Sequence, residues 1–164
     1  MTGKPSAAIR SATAEDQSAI LDLAVASGLF QEHEAGVLAE MLADAFTGGL
    51  EDHHWIVMEA GAGAGPLTGA ACFAPEVMSD RAWNLYFIAV ARRDQGRGHG
   101  TALLAHVEET LRKQDARLLL IETSGLDSFE RTRRFYLGNG YEEEARIRDF
   151  YRAGEDKVVF RKLL

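Results

Sequence analysis

At 164 residues, with 18 Lys plus Arg against 25 Asp plus Glu, the chain carries a formal charge of −7 and holds sequence for one domain of ordinary size. Hydrophobic residues make up 46% and charged residues 26%, which excludes an intrinsically disordered chain, and the acidic balance excludes capture of nucleic acid or anionic lipid by bulk electrostatics. No run approaches the roughly 18 consecutive apolar residues of a membrane helix, the start lacks the basic-then-apolar pattern of a secretory signal, and the lone Cys72 cannot close an internal disulfide. A cytoplasmic protein is expected, with neither nucleic acid nor membrane among its partners.

Ile9 to Ala12 reads as a short first strand. Thr13, with Asp16 three residues on, has the form of an N-cap with its acidic partner, opening a helix whose apolar stripe is Ile20, Leu21, Leu23, Ala24 and Val25. A second helix is expected from about Gln31 to Phe46, where Val37, Leu38, Met41, Leu42, Ala45 and Phe46 recur at helical spacing; Gly48 and Gly49 stop it. The period then shortens to that of strands. His54 to Glu59 and Leu67 to Phe73, separated by the Ala/Gly-rich segment 60–66, read as a hairpin. Ala82 to Val90, the longest aromatic and β-branched run, is the expected central strand.

Residues 91–100 form a glycine-rich turn, followed by a helix from about Thr101 to Gln114 whose buried face is Leu103, Leu104, Val107 and Leu111. Glu108 and Glu109 precede Arg112 and Lys113 by four residues, which reads as a solvated charged face. Leu118 to Thr123 is a nearly continuous apolar strand, as expected where both faces are covered. A helix from about Ser128 to Leu137 and a Gly138-Asn139-Gly140 stop come next. Strands near Glu144 to Tyr151 and Lys157 to Leu163, joined by a turn at 153–156, complete the chain. Without an internal repeat or linker, residues 1–164 read as a single domain.

The sharpest feature is the strand, glycine loop and helix from Leu85 to Leu111. Glycines at 96, 98 and 100 let successive backbone N–H groups converge, and the following helix adds the positive end of its dipole, a combination suited to a pyrophosphate. Arg92, Arg93 and Arg97 against Asp94 make the loop locally cationic inside an acidic chain. A P-loop needs Gly-Lys followed by Ser or Thr, and here Gly3-Lys4 is followed by Pro5. A dinucleotide fingerprint needs Gly-x-Gly-x-x-Gly, whereas Gly96-x-Gly98 leads to Thr101 and Gly98-x-Gly100 to Leu103. Glu122 stands about where a ribose-binding acid would, but the loop follows a meander in mid-chain instead of opening a βαβ unit.

Gln95-x-x-Gly98-x-Gly100, after a strand ending Ile88-Ala89-Val90 and before Thr101-Ala102-Leu103-Leu104, resembles the acetyl-CoA pyrophosphate motif of the GNAT N-acetyltransferase superfamily. The segment from Thr132 to Tyr141, with Tyr136 and the pair Gly140-Tyr141, is similar to that superfamily's later helix motif. The resemblance covers nearly the whole chain. It implies an α/β fold with a mixed, largely antiparallel central sheet of about six or seven strands flanked by helices, splayed beside the glycine loop to admit pantetheine. It also implies acetyl-CoA as co-substrate, no metal, and a small-molecule amine or an exposed amino group of a peptide as acceptor. The backbone amides of Gln95, Gly96, Arg97, Gly98, His99, Gly100 and Thr101 would bind the pyrophosphate. Main-chain groups of Ile88 and Val90 would pair with pantetheine like an added strand, and Tyr136 would face the sulfur. His99 replaces the usual aliphatic residue between the last two glycines, and Phe129 stands where an Asn commonly contacts pantetheine.

The implied chemistry makes definite demands. An amine attacks a thioester only as the free base, and a lysine-like amine titrates near ~10.4, so a base or water chain is needed. An N–H of the splayed strand, that of Val90, suits the developing oxyanion. A phenol can protonate the leaving thiolate, which makes Tyr136 the candidate general acid; its bland alternative is a helix-end aromatic packed on the sheet. The base stays open between Glu76, Glu122 and water held by Asn84, the residue at the strand position where some relatives carry glutamate. A non-catalytic acyl-CoA-binding module and a dinucleotide-binding oxidoreductase domain are the competing functions. The oligomeric state, a homodimer included, and the use of longer acyl-CoA are also open.

Other features lean to structural roles. Glu51-Asp52-His53-His54 has metal-ligand residue types, but neighbours alternate faces in a strand, and Val37 stands where His33-Glu34 would need a second histidine. Glu142-Glu143-Glu144 reads as a solvated turn, although a carboxylate cluster near the acceptor cleft could also attract a cationic amine. Trp83, Tyr86, Phe87, Phe150 and Tyr151 read mainly as core or cross-strand aromatics, of which Trp83 or Tyr86 with Phe150 or Tyr151 could wall an acceptor pocket.

Overall fold

A computed structural model describes residues 7–28, 32–61 and 65–164. Gly3-Lys4-Pro5, Gln31 and the middle of the 60–66 connection lie outside these residues. Among the described residues, strands β1 (Ala8–Ser11), β2 (His54–Glu59), β3 (Leu67–Pro75), β4 (Ala82–Val90), β5 (Leu118–Ser124), β6 (Glu142–Arg152) and β7 (Glu155–Leu163) form one mixed sheet. Its order is β1-β2-β3-β4-β5-β7-β6. Helices α1 (Gln17–Ala26), α2 (Glu32–Thr47), α3 (His99–Lys113) and α4 (Glu130–Gly138) flank it. No described helix is long and apolar enough to cross a membrane.

The described residues fall into two compact units. One is drawn from Met1–Ala74 and Phe87–Val107, the other from Pro75–Tyr86 and Glu108–Leu164. In the first, β1 and β2 pair antiparallel, as do β2 and β3. Ile20, Leu23 and Ala24 of α1 and Leu38 and Leu42 of α2 pack with Trp55, Val57, Ala70, Cys72, Phe87 and Ala89 in one buried cluster. The helical spacing therefore selected the right faces, although Val25 and Val37 point outward at 39% and 62% exposure. Cys72 is fully buried, and desolvation pushes its thiol well above the usual range, the behaviour of a small core hydrophobe. The entry to α1 is held by Thr13 N–H donating to Asp16 Oδ2 at 2.7 Å, and Arg10 adds a two-pronged ion pair to the same carboxylate at 2.8 and 2.9 Å. At the far end of α2, Gly48 takes φ +91° and Gly49 N–H returns to the Asp44 carbonyl at 2.8 Å, closing the helix as the glycine pair implied.

In the second unit, β4 and β5 run parallel in register from Ala82↔Leu118 to Leu85↔Ile121. Parallel neighbours need a crossover, and α3 is the helix between these two strands in sequence. β5 then pairs antiparallel along its whole length with β7, and β7 with β6. Of the boundaries that differ from the sequence expectation, three concern polar or glycine-rich segments. Glu142, Glu143 and Glu144 belong to β6 and are not a turn, because the backbones of Glu142 and Glu143 pair with Arg161 and Phe160 while the side chains stay in water. Glu155 and Asp156 open β7, with Glu155 in register with Arg152 of β6. α3 begins at His99, two residues early, because its hydrogen bonding starts from the Gly98 carbonyl, which accepts from Ala102 N–H at 3.0 Å.

Candidate active site

The first unit holds all the proposed cofactor-binding residues in one continuous stretch. Ile88 and Val90 lie on β4 beyond Leu85, the last β4 residue in register with β5. Ala91 N–H donates to the Thr68 carbonyl at 2.9 Å, tying the loop's first residue to β3. Arg92–Asp94 make a single 3-10 turn, closed by Asp94 N–H on the Ala91 carbonyl at 2.7 Å and Gln95 N–H on the Arg92 carbonyl at 3.4 Å. The Gln95 side chain turns back, its Nε2 donating to the carbonyls of Val90 at 3.0 Å and Ser27 at 3.4 Å. Gln95 thus clamps the loop to the end of β4 through its side chain, and its own N–H is turned to the Arg92 carbonyl.

Gly96 and Gly98 take φ of +73° and +87°, a left-handed region where a side chain is strained. Such residues in a tight turn aim neighbouring N–H groups into one concavity that favours anions. Gly96, Arg97 and Gly98 are exposed, and a Cβ added at Gly98 would meet no atom within 4 Å. His99, Gly100 and Thr101 are the first turn of α3, where N–H groups have no intrahelical acceptor and the helix dipole is positive. Gly100 is therefore a helical residue, and the left-handed positions are 96 and 98 alone of the three glycines. The His99 ring turns inward, Nδ1 3.0 Å from the sulfur of buried Met58, so a histidine is accommodated here without using its backbone amide. Arg93 and Arg97 pair with Asp94 at 3.1 and 3.9 Å, and with Arg92 they leave the loop net positive. Close approach of β3 to α3 also needs a glycine: a Cβ at Gly69 would lie 2.8 Å from Leu103 Cδ1 and 3.2 Å from the Ala89 carbonyl. Two left-handed glycines, exposed backbone and the start of α3 thus lie together in this loop.

The second unit holds Tyr136 near the end of α4. Its position is set by the way that helix stops. Gly140 takes φ +83°, Gly140 N–H donates to the Leu137 carbonyl at 3.1 Å, and Tyr141 N–H reaches back to the Tyr136 carbonyl at 3.1 Å. This is the left-handed glycine cap, whose usual apolar contact joins the residues on either side of the turn. Here that contact is Tyr136 against Tyr141, edge to face with centroids 6.1 Å apart. Phe160 of β7 lies 5.5 Å from Tyr136 and Phe135 5.4 Å. Tyr136 is buried, and burial holds its phenol well above the ordinary tyrosine value, so it stays protonated at any working pH.

Glu108 corrects the sequence reading. Glu109 and Lys113 do form a solvated i,i+4 pair at 2.8 Å, but Glu108 is only 6% exposed. It accepts hydrogen bonds from Tyr141 Oη at 2.9 Å, from Lys162 Nζ at 2.9 Å to each carboxylate oxygen, and from Arg112 Nη2 at 3.1 Å. The sequence signal for this was faint: a Glu one position after Val107 borders the apolar stripe, and its partners Tyr141 and Lys162 lie 33 and 54 residues away.

The carboxylates considered as proton acceptors are also in this unit. Asn84 is buried, donates its Nδ2 to Glu76 Oε1 at 2.8 Å, and has no partner at Oδ1. Glu122 pairs with Lys157 at 2.6 Å, and the Lys157 ammonium lies 3.6 Å from the centre of the Phe150 ring. Phe150 and Tyr151 on β6 are half exposed, as is Tyr86, whereas Phe87 belongs to the core of the first unit. Among the described residues no group of three His, Cys, Asp or Glu side chains is placed to hold a metal ion.

Residues 51–143 match the model of the acetyltransferase (GNAT) domain. Among solved structures, one from Desulfovibrio desulfuricans assigned to the GNAT acetyltransferase family is 33% identical, with a TM-score of 0.89 over 96% of this chain and 99% of that one. The ribosomal-protein-S18-alanine N-acetyltransferase of Escherichia coli is 19% identical, with a TM-score of 0.75 over 96% and 93%. The ribosomal-protein-alanine N-acetyltransferase of Brucella melitensis is 21% identical, with a TM-score of 0.72 over 96% and 99%. The last two similarities concern the fold. None of the curated proteins matches the sequence.

Proposed function

Because the chain belongs to the GNAT acetyltransferase family, we propose that it transfers the acetyl group of acetyl-CoA to an amine by direct attack in a ternary complex. The observation that supports this reading is the loop after β4, where Gly96 and Gly98 are left-handed and exposed, three arginines stand against one aspartate, and α3 begins. The amides from Gly96 to Thr101 bind the pyrophosphate, with Gln95 fixing the loop through its side chain. Main-chain groups of Ile88 and Val90 bind the pantetheine arm, and the Val90 N–H is the donor for negative charge at the carbonyl oxygen. Acetyl-CoA supplies an acyl group activated as a thioester.

Tyr136 is the proton donor to the departing sulfur. Burial keeps the phenol protonated, so the proton is in place for the departing sulfur. The acceptor is a small amine or an exposed amino group. The two ribosomal-protein acetyltransferases share the fold at 19% and 21% identity, which leaves the acceptor at the level of an amine.

Acetyl-CoA should bind the wild-type protein in calorimetry and be turned over with members of an amine panel. Tyr136→Phe should lower kcat by about 10²–10⁴-fold, the usual worth of a positioned acid, with little change in KM for acetyl-CoA. Unchanged turnover in that variant would refute the proton-donor role. Binding without turnover of any amine would favour a non-catalytic acyl-CoA module.

A further inference from the structure

Among the neighbours of Tyr136, Tyr141 meets it through both backbone and ring and is itself anchored elsewhere. Tyr141 N–H bonds the Tyr136 carbonyl at 3.1 Å, and the Tyr141 ring meets the Tyr136 ring edge-on. The hydroxyl of Tyr141 bonds Glu108 at 2.9 Å, and Lys162 bridges Glu108 to the Asn139 carbonyl, also at 2.9 Å. Asn139 in turn donates its backbone N–H to the carbonyls of Phe135 and Tyr136 at 3.1 and 3.0 Å, and its Nδ2 to Phe135 at 2.8 Å. Both sides of the turn that ends α4 are thus tied to one buried carboxylate on α3, through Tyr141 on one side and Lys162 on the other.

We infer that Glu108, Tyr141 and Lys162 are positioning residues for Tyr136: a buried ionic lock that fixes the α4 end and the direction of the Tyr136 phenol.

This rests on the reading of Tyr136 as proton donor. A cap of this kind needs only the glycine and the two backbone bonds, which stop many helices without any ionic group. Placing a carboxylate and an ammonium, their side chains 8% and 24% exposed, under it is costly in desolvation, and such buried networks more often specify one geometry than add stability. Transfer of a proton to sulfur depends on angle and distance to a fraction of an ångström, so a device that removes freedom from the α4 end acts on kcat and leaves cofactor binding to the other unit's loop. Glu108 is fully supplied, with four hydrogen bonds from three side chains, and Lys162 shares its remaining hydrogen with Asn139.

Glu108→Gln leaves two cations short of their carboxylate and will destabilise the protein, so Tyr141→Phe is the working variant: it keeps the ring and the backbone bonds and removes only the tie to Glu108. Lys162→Met removes the other tie. Each should lower kcat about tenfold with KM for acetyl-CoA within twofold of wild type. Each should also speed hydrogen exchange of the Tyr141 amide about tenfold or more in the protein without ligand. Added to Tyr136→Phe, neither should lower kcat further, because nothing remains to be aimed. Wild-type kcat in Tyr136→Phe would overturn the proton-donor reading and this inference with it. A low kcat in Tyr136→Phe, combined with wild-type kcat in Tyr141→Phe or with losses that multiply in the double variant, overturns the positioning role alone. So does unchanged exchange at Tyr141.

Discussion

Replacing Gly98 by valine separates the loop's backbone geometry from its packing. At φ +87° a β-branched residue is strained by roughly 1–3 kcal/mol, and since an added Cβ meets nothing within 4 Å, that strain is the whole cost to the fold. For a chain of this length it lowers Tm by a few degrees to about 10 °C. The chain relieves the strain by moving residue 98 to negative φ, which turns the adjoining amides out of the concavity. If two amide-to-phosphate bonds are lost, each net about 1.5–3 kcal/mol because the acceptor is charged, CoA binding weakens by 3–6 kcal/mol, or roughly 10²–10⁴-fold. Gly98→Asn is the control, because asparagine tolerates the left-handed region; it should bind within about tenfold of wild type. Isothermal titration with CoA, with circular dichroism and melting on the same samples, reads both quantities. Affinity within threefold of wild type in a folded Gly98→Val protein would refute the amide cradle.

Two further outcomes follow from the packing and the ion pairs. Arg10 holds the Asp16 carboxyl down from 3.8 to about 2, so this pair stabilises the fold fully above pH 4 and loses its contribution as pH falls toward 2. Linkage sets an upper value near ~2.5 kcal/mol, and because the Arg10 side chain is 40% exposed the expected size is about 1–2 kcal/mol. Urea midpoints for wild type and Asp16→Asn should therefore converge between pH 5 and 2; parallel curves would show that the pair does not contribute. Gly69→Ala places its methyl against Leu103 and the Ala89 carbonyl and should cost about 1–3 kcal/mol, whereas Gly36→Ala in α2, with no atom within 4 Å, should gain about 0.5–1 kcal/mol. An unchanged or raised Tm in Gly69→Ala would contradict the close approach of β3 to α3.

Local pattern alone determined much of this protein. The period of apolar residues placed β2 and β4 at their observed limits and picked the buried face of α3, because alternation and the 3.6-residue repeat record which side of each element leaves water. The glycines at 96, 98 and 140 were legible for a related reason: left-handed backbone restricts residue choice at a single position, and that restriction is written in the sequence itself. Tertiary structure decided what depends on distant partners. Glu108 looked like one of two solvated carboxylates on a charged face, and only the arrival of Tyr141 and Lys162 from 33 and 54 residues away makes it the buried centre of an ionic cluster. The same holds for Gln95, whose amide group closes on Ser27 and Val90, for His99, whose ring finds Met58, and for the strand state of the three glutamates opening β6, which β7 imposes through its backbone. Periodicity reports whether a side chain leaves water, but a polar group's partner is chosen by the folded backbone, and a hydrogen bond between remote segments leaves no spacing behind it.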